Sequence, residues 1–208
     1  MTTQEIKTNW DNLAEKANPL TSKDIDSFGL SDQTVTFLKQ CGLPSQSAPF
    51  LSFVDNSNRE LDTINSISNL YELPKEFDRY INIGGDGSGN PIVINTKKND
   101  IIELLDHEQD FEPLDFMNTN VFSLSACLIA YKTFVKTVIE TNGSSAFLDS
   151  NFTDQQFEIV TNIKNRKNNA YTQQRAIASF LRVNAQMHNL DLQKRTSACG
   201  PLAASTKT

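Results

Sequence analysis

Residues 80–95 read YINIGGDGSGNPIVIN, and this stretch decides the fold. The apolar runs at 80–83 and 91–95 are typical of β-strands, and a glycine-rich segment at 84–90 separates them. Glycine adopts the positive φ values that a tight connection needs, so this segment suits a hairpin loop. The stretch therefore predicts two antiparallel strands joined by residues 84–90.

Further apolar runs continue the strand pattern on both sides of the hairpin. They lie at 49–54, 61–64, 100–105 and 111–117, and a turn-like cluster at 55–58 separates the first two. We expect each run to form a short strand of the same sheet.

The N-terminal region is predicted to be helical. Thr2 and Glu5 have the spacing of a capping box, and Pro19 ends the first helix because it disfavours helical geometry in the residue before it. A second helix starts with Ser31 as its N-cap and stops at Gly42. The apolar residues on one face of the first helix are Ile6, Trp10, Leu13, Ala14 and Ala17.

The C-terminal half returns to helical patterns. Asn118 or Asn120 is a suitable N-cap for a long helix that runs to about Thr141. Thr153 and Gln156 suggest a capping box before a further helix. The spacing of apolar residues from 171 to 190 predicts one more helix.

Helices at both ends and strands between them indicate an α+β fold with a central, mostly antiparallel (mixed) β-sheet against which the helices pack. The 208 residues suit one core better than two, so residues 1–195 are predicted to form a single domain. Residues 196–208 are small and polar and are predicted to be a disordered tail.

Charge is distributed unevenly along the chain. Residues 1–160 hold 24 acidic and 11 basic residues, whereas residues 161–208 hold 1 acidic and 8 basic residues. An acidic body repels nucleic acid and anionic membranes and attracts basic partners, although solubility alone also explains such a charge. We therefore expect neither nucleic acid nor a membrane as a partner, and the pattern leaves the oligomeric state open.

The chain lacks the features of a secreted protein or of one that spans a membrane. Its N-terminus has no basic region followed by an apolar stretch, and no apolar run approaches about 18 residues. Its three cysteines are far apart and show no CxxC spacing, which indicates reduced thiols. We expect a cytoplasmic protein.

The glycine-rich segment does not fit a cofactor site. A dinucleotide or P-loop motif needs a helix after its glycines, but Pro91 and a predicted strand follow here. An EF-hand needs Gly and Glu where this chain has Pro91 and Lys97. No cofactor is expected, and a lone calcium site at Asp86 and Asn90 is the weaker alternative.

The sequence Asp106-His107-Glu108 looks catalytic at first sight. On a strand, however, adjacent side chains point to opposite faces, so the two carboxylates would lie away from His107. We therefore expect His107 to be a packed or hydrogen-bonded residue at a strand end, with no metal site and no catalytic residue. Cys127 is expected to be a buried, inert thiol, and a hydrolase built on residues 106–108 is the least favoured alternative.

An acidic cluster remains, and residues 100–115 contain no Lys or Arg. One interpretation is a solvated sheet edge whose charges prevent strand addition. The other is a docking surface for a basic protein, with Phe111 and Phe116 among the acids as contact or core residues. The acids of the cluster are Asp100, Glu103, Asp106, Glu108, Asp110, Glu112 and Asp115.

Several segments together resemble the SUKH superfamily, specifically its fourth group. The resemblance covers about residues 28–160, and the glycine loop followed by LeuAspHisGlu is its most specific part. Gly85 stands where that family's pattern has Ser, and the basic segment after about Lys164 departs from it. The matching segments are LP at 43–44, APFLSF at 48–53, INIGGDGSGNPI at 81–92, LLDHE at 104–108, FEP at 111–113, FMNT at 116–119 and the helical pattern at 124–134.

The resemblance implies an immunity protein of a bacterial polymorphic toxin system. Such a protein is not an enzyme, and it neutralises a cognate toxin, often a nuclease, by binding it. A regulatory or scaffold module with the same fold is the alternative. The partner-binding residues expected here are Asp86, Asp106, His107, Glu108, Asp110, Phe111, Glu112 and Asp115.

Overall fold

The computed structural model describes residues 1–47, 51–56, 63–144, 146, 153, 155 and 156. The helix predicted at 171–190, the domain boundary at 195 and the tail at 196–208 lie outside these residues, as do parts of the runs at 49–54 and 61–64. The helices are α1 (Thr3–Asn12), α2 (Asp32–Gln40), α3 (Ile67–Tyr71) and α4 (Val121–Asn142). The strands are β1 (Ala17–Asn18), β2 (Leu43–Pro44), β3 (Gln46–Ser47), β4 (Leu51–Phe53), β5 (Asn65–Ser66), β6 (Tyr80–Gly85), β7 (Pro91–Asn95), β8 (Ile101–Asp106) and β9 (Glu112–Asn118).

The predicted α+β fold is confirmed. Seven strands form one sheet in the order β3-β4-β6-β7-β8-β9, and β5 also pairs with β6. Every strand pair within this sheet is antiparallel. Strand β9 is therefore an edge of the sheet as described.

The predicted hairpin of β6 and β7 is present, and its loop is shorter than expected. Gly84 and Gly85 belong to β6 because they pair with Phe53 and Ser52 of β4. A Cβ atom at Gly84 would lie 2.2 Å from the carbonyl oxygen of Ser52, so the pairing requires glycine there. The loop consists of residues 86–90.

The first helix is capped as predicted but ends earlier than expected. Glu5 N–H donates to Thr2 Oγ1, and the Glu5 carboxylate accepts from Thr2 N–H, which completes the capping box. The prediction that the helix continues to Asn18 is wrong, because Ala14 has a φ of 55° and the chain turns there. Strand β1 then pairs with β2 instead of extending the helix.

Helices α2 and α4 agree with the prediction. Ser31 caps α2, and Gly42 follows it with a φ of 69°. A Cβ atom at Gly42 would lie 1.8 Å from the carbonyl oxygen of Asn18, so glycine also permits the close approach of β1. Asn120 caps α4 by accepting a hydrogen bond from Ser123 N–H at 2.9 Å.

The sheet buries apolar side chains on both faces. Ile92 and Ile94 of β7 join a cluster that includes Trp10, Phe37 and Leu124 from helices α1, α2 and α4. The alternating residue Val93 joins a second cluster on the other face, with Tyr80, Leu105 and residues of α3. The sheet therefore lies between the three longer helices and the segment that contains α3.

Helix α4 is long and apolar enough to cross a membrane, judged by length and composition alone. Core helices of globular proteins meet the same criterion, so this is weak evidence for a membrane span. Here Val121, Leu124 and Leu128 of α4 are buried in the cluster that covers the sheet.

Candidate functional site

The loop between β6 and β7 is organised by the carboxylate of Asp86. Its Oδ1 accepts hydrogen bonds from the backbone N–H groups of Ser88 at 2.8 Å and Asn90 at 2.9 Å. Its Oδ2 accepts from Asn90 Nδ2 at 3.0 Å. The loop's own donors thus occupy this carboxylate, and the chain enters β7 rather than a helix after the glycines.

The second loop at this end of the sheet connects β8 with β9 and contains residues 107–111. Strand β8 ends at Asp106, whose Oδ1 accepts from Glu108 N–H at 2.9 Å. Asp110 and Phe111 have φ values of 49° and 59°, which turn the chain back into β9. The expected strand alternation through residues 106–108 is therefore wrong, because His107 and Glu108 lie in the turn.

Asn90 joins the two loops. Its Oδ1 accepts a hydrogen bond from His107 N–H at 3.2 Å and lies 2.8 Å from His107 Nδ1. Because an amide oxygen only accepts, this contact is a hydrogen bond when Nδ1 of His107 carries a proton. Gly89, next to Asn90, has a φ of 92°, a backbone conformation that favours glycine in this loop.

This contact brings Asp86 and His107 into one surface. The sequence gives no direct signal for the part that Asn90 plays, since its partner lies 17 residues away. His107 is hydrogen-bonded just after the end of β8, as expected, and it is exposed.

Four predicted partner-binding acids lie on the surface near this end of the sheet. Glu108 and Asp110 are exposed in the second loop, and Glu112 and Asp115 are exposed on edge strand β9. Glu108, Asp110 and Glu112 form no ion pair with any residue that the structure describes. The chain has no Lys or Arg from residue 99 to residue 131, so no basic residue lies close to these acids in the sequence.

Two acids of the predicted cluster do not belong to this surface. Asp100 and Glu103 are each only 5% exposed. Asp100 Oδ2 accepts from Ser31 N–H at 2.9 Å and from Thr34 Oγ1 at 2.8 Å, so it supports the start of α2. The interpretation of residues 100–115 as one acidic surface is wrong, because Asp100, just before β8, and Glu103 of β8 are buried.

Glu103 accepts hydrogen bonds from one buried amide side chain and from one exposed lysine. Its Oε2 accepts from Asn95 Nδ2 at 2.7 Å, and its Oε1 accepts from Lys98 Nζ at 2.8 Å. The hydrogen bond to Glu103 raises the pKa of Lys98. Both oxygens of the Glu103 carboxylate therefore have hydrogen-bond partners within the protein.

Phe111 packs against the body of the protein. Its ring centroid lies 4.6 Å from that of Tyr71 and 6.5 Å from that of Phe77. It joins the second apolar cluster as a half-buried member and so fixes the second loop to the sheet.

Strand β9 has several features that prevent the addition of another strand. Pro113 lacks a backbone donor, and Glu112 and Asp115 place charge on the edge. The register with β8 shifts between Pro113 and Asp115, which leaves Leu114 without a partner residue. Leu114 is 51% exposed, and the sequence reasoning did not identify it.

The thiols that the structure describes are held in their neutral form. Burial raises the pKa of Cys127 to about 12 and the pKa of Cys41 to about 11. Cys127 Sγ donates to Asn118 Oδ1 at 3.5 Å. Neither thiol is a nucleophile at neutral pH, since the thiolate is the reactive form. Within the described part of the chain, no three His, Cys, Asp or Glu side chains form a group that could hold a metal ion.

Fold and site together define an α+β protein with exposed acidic residues in the loop at 107–111 and on strand β9. Comparison with known proteins gives no match among protein-family models, curated proteins or solved structures.

Proposed function

We propose that this chain is an immunity protein of the SUKH type, which binds and neutralises a basic toxin domain through its acidic hairpin end. The hairpin end is defined as the loops at 86–90 and 107–111 together with residues 112–115 of β9. The observation that carries the proposal is the exposure of Glu108, Asp110 and Glu112 without an ion-pair partner among the described residues. The toxin class most compatible with this surface is a nuclease.

Electrostatics supports this choice of partner. A nuclease presents a basic surface because it must bind the phosphates of its substrate. An acidic surface of opposite potential is steered towards it and raises the association rate by about 10-fold to 1000-fold. A toxin that has already entered the cell must be captured quickly, so a high association rate serves this function directly.

The geometry of β9 favours contact through side chains over strand addition. Pro113 and the irregular register at Leu114 interrupt the edge that an incoming strand would need. Exposed Leu114 lies between Glu112 and Asp115, an arrangement of an apolar residue within a charged rim that suits an interface. The partner is therefore expected to offer basic residues around an apolar patch.

Different predicted residues have different parts in this proposal. Glu108, Asp110, Glu112 and Asp115 are the proposed contact residues, with Asp106 and His107 at their margin. Asp86 and Phe111 support the surface from within, through the loop hydrogen bonds and the packing on Tyr71.

Co-expression tests the proposal. The chain is expressed in a sensitive bacterium with the toxin-like C-terminal domain encoded beside it, and growth and complex formation are measured. We expect the domain to arrest growth, the chain to restore it, and the two proteins to elute together in size-exclusion chromatography. A neighbouring domain that is harmless, or that remains toxic beside the folded chain, contradicts the proposal. A stable complex with a non-toxic protein of the same cell supports the scaffold alternative instead.

A further inference from the structure

Asn90 lies in the loop between β6 and β7, and its side-chain amide contacts both loops of the hairpin end. Asn90 Nδ2 donates to Asp86 Oδ2 at 3.0 Å within its own loop. Asn90 Oδ1 accepts from His107 N–H at 3.2 Å in the other loop. Because an ionised carboxylate only accepts and a backbone N–H only donates, these two contacts determine which atom of the amide is the oxygen. The orientation of the Asn90 amide is therefore fixed independently of the His107 ring.

The same amide oxygen favours one protonation form of the His107 ring. Asn90 Oδ1 lies 2.8 Å from His107 Nδ1, and an amide oxygen has no proton to donate. A neutral imidazole has one protonated nitrogen, which donates, and one unprotonated nitrogen, which accepts. The contact favours the neutral form with its proton on Nδ1, and this form leaves Nε2 as an acceptor. His107 is exposed, and its Nε2 has no hydrogen bond to any residue that the structure describes.

Hydrogen bonds within each loop support this contact. In the first loop, Asp86 N–H donates to the Asn90 carbonyl oxygen at 3.0 Å, and Asn90 N–H donates to Asp86 Oδ1 at 2.9 Å. In the second loop, the N–H groups of Gln109 and Phe111 donate to the carbonyl oxygen of Asp106 at 3.2 Å and 2.9 Å. Both loops are therefore ordered before a partner arrives, which lowers the entropic cost of binding.

We propose that Nε2 of the neutral His107 ring accepts a hydrogen bond from a lysine or arginine of the partner, and that Asn90 is the positioning residue that holds the ring in this form. The inference rests on the proposed function, because it assumes a basic partner at the hairpin end. It adds a specific contact to a general attraction. Exposed carboxylates attract positive charge over a distance, whereas an imidazole nitrogen accepts one hydrogen bond in one direction. The side chains of lysine and arginine only donate, so they match this acceptor.

Protonation of His107 removes this acceptor, so binding depends on pH. The imidazolium ion donates from both nitrogens and carries a positive charge, which repels a cationic donor at Nε2. Nδ1 carries a proton in both charge states, so the contact with Asn90 is kept. Histidine side chains change charge between about pH 5 and pH 8, whereas carboxylates ordinarily stay ionised above about pH 6. The other titratable groups of the two loops and of the strand end before His107 are the carboxylates of Asp86, Asp106, Glu108 and Asp110.

The protonation form of the ring is tested in the full chain without a partner. NMR signals of the imidazole nitrogens at about pH 8 distinguish a nitrogen with a proton from one without, and His188→Gln assigns the signals because the chain has two histidines. We expect a proton on Nδ1 of His107 and none on Nε2. Asn90→Ala keeps both backbone hydrogen bonds of its loop and removes the contact with Nδ1, so part of the proton population should move to Nε2. A proton on Nε2 in the unmodified chain, or an unchanged ring in Asn90→Ala, overturns the proposal.

Two matched variants separate the outer acceptor from the inner donor. The amide of His107→Gln reaches the position of Nε2 and accepts there, whereas the shorter amide of His107→Asn reaches only the position of Nδ1 and donates to Asn90. Affinity for the toxin domain encoded beside the chain is measured at about pH 8 and about pH 6. We expect the unmodified chain to lose about 10-fold in affinity at the lower pH and each variant to lose less than about 2-fold. At the higher pH, His107→Gln should bind about 10-fold more tightly than His107→Asn.

The outcomes distinguish this inference from the proposed function. An affinity that changes equally with pH in the unmodified chain and in His107→Gln overturns the inference, because another group then titrates, and it leaves the proposed function in place. A complex that tightens at the lower pH only when His107 is present also overturns the inference, since the ring then donates to an acceptor of the partner. The absence of a complex at both pH values overturns the proposed function and this inference with it.

Discussion

Five of the seven acids between residues 100 and 115 form two groups that composition alone does not distinguish. Asp100 and Glu103 are buried and hydrogen-bonded within the fold. Glu108, Asp110 and Glu112 are exposed and without ion pairs to described residues. The boundary between the groups is the end of β8 at Asp106, where the chain leaves the sheet.

The contrast shows that position along one hairpin decides what a carboxylate does. A buried carboxylate stabilises the fold only while its donors are present, because an unmatched buried polar group is costly. An exposed carboxylate contributes little to folding and remains available to a partner. The two groups should therefore differ in their effect on the free energy of unfolding and in their effect on association.

The largest effect is expected at Asp100, and Asp110 offers a matched control. Both have positive φ values, 60° and 49°, so replacement by Ala causes similar backbone strain at both positions. Asp100→Ala also leaves Ser31 N–H and Thr34 Oγ1 without their acceptor. We expect a loss of about 3 kcal/mol of unfolding free energy for Asp100→Ala and about 1 kcal/mol for Asp110→Ala, measured by urea denaturation. Equal losses would show that the contrast rests on backbone strain alone.

A smaller effect is expected at Glu103. Glu103→Ala leaves Asn95 Nδ2, in a residue only 1% exposed, without its acceptor, and it also removes the partner of Lys98. We expect a loss of about 2 kcal/mol, because Lys98 can turn to solvent whereas Asn95 is buried. The control Glu112→Ala, on the neighbouring strand, should cost less than about 0.5 kcal/mol. If the two variants unfold at the same urea concentration, buried Glu103 does not stabilise the fold more than exposed Glu112 does.

Sequence reasoning predicted local structure well where a few adjacent residues determine it. The capping box at Thr2 and the hairpin of β6 and β7 depend on neighbouring residues, and the structure contains both. The early end of α1 was missed because the pairing of Ala17 with Pro44 is a long-range contact. The burial of Asp100 was missed for the same reason, since its partners in α2 lie 66 and 69 residues away.

The sequence predicted which residues belong to the candidate site but not how they are arranged in space. Glu108, Asp110, Glu112 and Asp115 are exposed, as a docking surface requires. The runs at 100–105 and 111–117 predicted a connection between two strands, but the strand alternation assumed for residues 106–108 did not place His107 and Glu108 in that connection. Asn90 is positioned by its contact with His107 in the other loop, and Leu114 is exposed where the register of β8 and β9 shifts. Neither feature can be predicted from the identity of the residue alone.

Burial should also make the ionisation of a thiol affect the free energy of unfolding, as it does for the buried carboxylates. Cys41 is 0% exposed, and burial raises its pKa to about 11 from 9.0. Above pH 9 the unfolded chain loses this proton while the folded chain keeps it, so stability falls as pH rises. We expect the thiol to contribute a loss of about 1 kcal/mol between pH 9 and pH 10. Urea denaturation of Cys41→Ala should show a shallower decline over this interval, and an unchanged decline would contradict the assignment.

Reversing the charge of exposed acids in the hairpin end should have the smallest effect on the free energy of unfolding. It should have the largest effect on the association rate. Glu108→Lys combined with Glu112→Lys removes no hydrogen bond to another described side chain, so the free energy of unfolding should change by less than about 0.5 kcal/mol. The control, Glu76→Lys with Glu140→Lys, changes the net charge equally at exposed positions elsewhere.

Association with the toxin domain then distinguishes the two double variants. The hairpin variant should associate about 10-fold more slowly at low salt and show a flatter salt dependence, because local charge complementarity steers the encounter. The control should keep most of the association rate, since neither of its acids belongs to the proposed contact residues. If both variants slow association equally, net charge rather than the hairpin end determines capture. If neither does, these acids only protect the edge strand, and aggregation of the hairpin variant at high concentration is the measurement that would reveal that role.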